Sequence, residues 1–73
     1  MNEWKAHVER ILEVLNAGDE GWQTQFVGDS LVFFTAPDGL VLTFTDTGLD
    51  LPLGETADAA AVLVRQRAEE ERS

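Results

Sequence analysis

Residues 30–45 read SLVFFTAPDGLVLTFT, two apolar runs divided by a Pro-Asp-Gly turn. Successive side chains of a strand point to opposite faces of a sheet, so a half-buried strand alternates apolar and polar residues. Leu31, Val32, Phe33 and Phe34 do not alternate, nor do Leu40, Val41 and Leu42. One face must cover the protein's own core, and the question is what covers the other.

Outward from this stretch the chain supplies four or five elements. Trp4, Val8, Ile11, Leu12 and Leu15 recur at spacings of three and four, the stripe of an amphipathic helix. Asn2 is placed to cap it, and Asn16-Ala17-Gly18 to stop it. Trp22, Thr24 and Phe26 then alternate with Gln23, Gln25 and Val27. Gly28-Asp29 reads as a tight turn and Ala36-Pro37-Asp38-Gly39 as a hairpin loop. The runs 22–27, 30–36 and 40–46 therefore read as an antiparallel meander. Leu49, Leu51 and Leu53 alternate too, but Pro52 demotes that segment to an edge strand or extended loop. Thr56 is placed to cap a last helix from Ala57 to about Glu70, with Asp58 in its first turn and the end of the chain, residues 70–73, frayed.

This order predicts one α+β domain over residues 1–73. It is a two-layer sandwich of helix, three- or four-stranded antiparallel meander and helix, with both helices on one sheet face. The expected core joins Leu31, Phe33, Leu40, Leu42 and Phe44 to Trp22 and Phe26, with Ala60, Leu63, Val64, Ala57 and Ala68 from the last helix. Val32, Phe34 and Val41 then fall on the open face, flanked by Gln23, Gln25, Val27, Thr43 and Thr45. An uncovered apolar patch of that kind marks an association site, and a two-fold dimer is the simplest way to close it.

The chain is 73 residues long, without cysteine and 44% apolar. Neither a disulfide nor a thiolate metal site is available to staple so small a core. No apolar run is long enough to span a membrane, and the first residues lack the pattern of a signal peptide, so a cytoplasmic location is expected.

Fourteen acids against five bases give a net charge of −9. The bases are confined to the two ends: between Ile11 and Val64 there is no Lys or Arg, while nine acids fall there. Such a field repels nucleic acid and anionic membranes and attracts basic surfaces. Solubility alone is the competing use of the same charge. Asp19, Glu20 and Asp38 are expected at one end of the sheet and Asp29 and Asp46 at the other, as partner-binding positions.

Catalytic, cofactor-binding and metal sites are not expected. His7 is the single histidine and is expected at a solvent-facing or boundary position, and the acids do not fit a calcium loop. Residues 42–48, LTFTDTG, resemble the apolar-apolar-x-Asp-Thr-Gly signature of aspartic proteases. That resemblance implies that Asp46 would share a proton with a counterpart carboxylate. It spans only those residues, and such proteases are longer than this chain, almost wholly β, and need a flap and a second apolar-Gly element.

The reading that follows is a small, acidic, non-enzymatic protein-binding module. In size and charge it is similar to phage inhibitors of bacterial defence systems and to some antitoxins, which implies a nucleic-acid mimic that occupies a basic surface. The alternative is a dimeric adaptor binding through the open sheet face. There the element order resembles part of the secretion-chaperone fold.

Overall fold

The computed structural model describes residues 3–46 and 56–73. Its elements are α1 (Glu3–Leu15), β1 (Gln23–Val27), β2 (Leu31–Thr35), β3 (Val41–Thr45) and α2 (Ala57–Arg72). The strands form one antiparallel sheet in the order β1-β2-β3. Both helices lie on one face of it and pack against each other, so the fold is the expected α+β sandwich. The expected cap at Asn2 and the expected fourth strand at residues 49–53 lie outside the described residues.

Helix α1 forms where the apolar stripe predicts it, burying Trp4, His7, Val8, Ile11 and Leu15. Helix α2 begins at the predicted cap: the Thr56 hydroxyl accepts the Ala59 N–H at 3.1 Å, which satisfies one of the donors a helix start leaves open. The helix continues to Arg72, past the expected fraying point, with the Ser73 N–H donating to the Glu70 carbonyl. Its buried stripe is Ala60, Ala61, Val64 and Ala68. Leu63, expected in the core, is 39% exposed, and Ala61 takes the inward position beside Ala60.

Sheet sidedness differs from the sequence expectation, and the cause is one extra residue in each loop that flanks β2. Thr35 pairs with Val41 across residues 36–40, rather than with Leu40 across the expected loop 36–39. The first loop is lengthened likewise. Val27 pairs with Leu31 across the loop Gly28–Ser30, rather than with Ser30 across a two-residue turn. Lengthening the turn by one residue moves every β2 side chain to the opposite face. Val32 and Phe34 therefore stand across from Phe26 and Thr24 on one side and Phe44 and Leu42 on the other, facing the helices. Both are fully buried, so their expected place on the open face is corrected. Phe34 meets Phe44 edge to face, with ring centroids 5.5 Å apart, and Trp4 meets Phe26 in the same way at 6.0 Å.

Leu31 and Phe33, placed in the core by the sequence reading, lie instead on the outer face. Three cross-strand rows make up that face: Gln23–Thr35–Val41, Gln25–Phe33–Thr43 and Val27–Leu31–Thr45. Val41, expected there, is 53% exposed, and Val27 is 45% exposed.

Candidate functional site

The loop between α1 and β1 is held by one side chain. The Asn16 amide donates from Nδ2 to the Trp22 carbonyl at 2.9 Å and accepts the Trp22 N–H on Oδ1 at 2.7 Å. This pair of hydrogen bonds turns residues 17–21 outward and delivers Trp22, only 5% exposed, to the edge of the core. Within the loop Asp19 takes the left-handed conformation (φ 57°), as Gly21 does (φ 94°). Asp and Asn visit that region more readily than other side chains. The sequence reading used Asn16 only to end a helix; its anchoring of Trp22 depends on a pairing that local spacing does not reveal.

The same loop presents Glu20 to α2. Glu20 accepts the Trp22 indole N–H at 3.0 Å on one oxygen and the Arg65 guanidinium at 2.8 Å on the other. The indole bond, then Arg65, hold its carboxyl below the usual glutamate range. Arg65 also donates to the Leu15 carbonyl at 3.3 Å, capping the end of α1. On the neighbouring hairpin loop, Asp38 receives Arg72 in a two-pronged pair at 2.8 and 2.9 Å and accepts the Leu40 N–H at 3.3 Å. Arg72, then the Leu40 N–H, depress the Asp38 carboxyl, and Asp38 in turn raises Arg72. Glu20, Trp22, Pro37, Asp38, Arg65 and Arg72 thus help to line a shared cleft of about 300 Å³.

Glu20 and Asp38 converge as the sequence suggests, but each is already matched by an arginine of α2. Asp19 lies in the same loop and makes no ion pair among the described residues. At the other end of the sheet Asp29 pairs with Lys5 at 3.1 Å while its side chain stays 88% exposed. Asp46, just past β3, donates its backbone N–H to the Ser30 carbonyl at 2.9 Å, which sets it beside the Asp29 loop. Thr47 and Gly48, the rest of the protease-like triplet, lie outside the described residues.

His7 is corrected from a boundary position to the interior. It is 4% exposed, and its Nε2 has no hydrogen-bond partner among the described residues. Burial, then the nearby Arg10 charge, push its pKa below the ordinary histidine value. No set of three or more metal-ligating side chains comes together among the described residues. No described helix is long and apolar enough to cross a membrane. Comparison with protein-family models, with curated proteins and with solved structures gives no match to this chain.

Proposed function

We propose that the protein is a small non-enzymatic binding module for a partner with a basic surface, an inhibitor of the kind that occupies a nucleic-acid-binding groove. One observation carries this reading. Four of the five bases, Lys5, Arg65, Arg67 and Arg72, are each engaged by a carboxylate of the same chain. This leaves Arg10 as the one base without an ion pair among the described residues, while Asp19 and Asp46 are acids without one. A partner then meets carboxylates, and an anion meets no unopposed cluster of bases. The contact is assigned to the Asp29–Asp46 end of the sheet, because there Asp29 stays 88% exposed even while paired with Lys5 and Asp46 makes no ion pair among the described residues. Glu20 and Asp38, at the other end, are each held by an arginine of α2 and are about half as exposed.

Exposed pairs contribute roughly 0.2–1 kcal/mol each, so the module gains encounter rate and specificity from its field more than affinity from any one pair. The test is capture from a host lysate by the wild type, by Asp29→Lys/Asp46→Lys and by Glu20→Gln/Asp38→Asn. Each captured protein is identified by mass spectrometry. A partner with a basic groove, released as salt rises and lost only with the first variant, is expected. Identical capture by all three chains, or capture that does not weaken with salt, overturns the reading.

A further inference from the structure

The outer sheet face carries no Lys, Arg, Asp or Glu at any position of its three rows, in a chain that is 26% charged. Its apolar side chains form a diagonal: Val27 and Leu31 at one end, Phe33 at the centre and Val41 at the opposite corner. Gln23 and Gln25 lie on one side of that stripe, and Thr43 and Thr45 on the other. With strands about 4.8 Å apart and residues rising about 3.4 Å each, the stripe runs at roughly 35° to the strands.

We propose that this face binds the same face of a second copy, about a two-fold axis lying along the stripe. Rotation about that axis lays the stripe on itself and carries the Gln side of one copy over the Thr side of the other. Amides then meet hydroxyls, each able to donate and accept, and apolar atoms meet apolar atoms. A basic partner is the poorer occupant here, since its cations would be desolvated against a face that offers no carboxylate.

Area sets the strength. Three strands of five residues cover about 15 by 17 Å in plan, roughly 250 Å², against about 800 Å² per partner for a standard stable interface. The dimer is therefore weak and forms at high concentration. Two chains of charge −9 also repel one another, so salt should strengthen self-association by screening, the reverse of its effect on binding to a basic partner.

Sedimentation equilibrium at up to about 1 mM chain, a concentration that reveals millimolar dissociation constants, tests this. The mass should rise from 8.0 kDa towards twice that value with concentration, and further at high salt than at low. Phe33→Glu and Val41→Glu should hold the chain at 8.0 kDa throughout, while Val62→Glu, on an exposed site of α2, should leave the rise unchanged. Circular dichroism verifies that each variant is folded, and Val41→Glu carries the test if Phe33→Glu is not. An equimolar mixture of Gln25→Lys and Thr45→Glu chains should associate several-fold better than either alone, because the axis brings those positions together. A wild type at 8.0 kDa at every concentration, a Val41→Glu chain that still dimerises, or a mixture no better than its components each overturns the proposal.

Discussion

Replacing Phe34 and Phe33 by alanine, one at a time, sets two adjacent residues of identical chemistry against each other. Phe34 is fully buried, on the helix-facing side of the central strand, with its ring edge to face with Phe44. Removing a buried Phe ring costs about 3–5 kcal/mol, of which the aromatic pair supplies roughly 0.5–1.5. A domain of this size rarely holds more than about 3–5 kcal/mol from its core, so Phe34→Ala should leave the chain largely unfolded at room temperature. Phe33 lies on the outer face and keeps part of its surface in water, so its loss should cost about 1 kcal/mol, or about 4–8 °C in Tm. Urea denaturation followed by far-UV circular dichroism and by the fluorescence of buried Trp4 and Trp22 measures both. Equal destabilisation by the two substitutions, or a larger loss for Phe33→Ala, would refute the sidedness assigned to β2.

Two further outcomes follow from side chains the packing has trapped. His7 has a folded-state pKa below its unfolded value, so the unfolded chain binds the extra proton first; stability should be full above about pH 6.5 and fall as pH drops from there towards the folded pKa. The urea midpoint should shift between pH 7.5 and 5.5 in the wild type and stay flat over that window in His7→Leu, while the carboxylates Glu20 and Asp38, whose pKa values are also lowered, act only further into acid. Asn16→Ala leaves the Trp22 N–H and carbonyl without their partner, a loss of about 1–3 kcal/mol, and Asn16→Asp, which keeps the acceptor alone, should restore part of it in the same denaturation assay.

The elements were legible because each carries its own local signal. The stripe of α1, the threonine cap of α2 and the alternation of β1 all act over a few residues. The orientation of β2 was not legible, because Leu31-Val32-Phe33-Phe34 is apolar at every position and fits either face. What decides it lies in the neighbours: β1 and β3 alternate cleanly, and cross-strand partners share a face, so an odd number of loop residues must place Val32 and Phe34 with Phe26 and Leu42. Reading Gly28-Asp29 as a two-residue turn and Ala36–Gly39 as a four-residue loop made the number even in both loops. Glu20 and Asp38 share one end of the sheet and Asp29 and Asp46 the other, as the sequence suggests, but the pairing of Glu20, Asp29 and Asp38 with bases was hidden. Lys5 and Asp29 are 24 residues apart in sequence, Arg72 and Asp38 34, and Arg65 and Glu20 45, and only tertiary packing brings them together.

The inward side of α2 is made almost entirely of methyl groups. Ala60, Ala61 and Ala68 bring about 0.8 kcal/mol each from burial and Val64 about twice that, little against the entropy of ordering sixteen residues. Such a helix can approach its neighbours closely but is held down weakly, so it is the element that should lift away first while the sheet stays intact. Its amide protons would then exchange with solvent through a partial opening, sooner than those of β2. Each such opening would also free Glu20 and Asp38 from their arginines, adding two acids for a moment to the surface a partner sees.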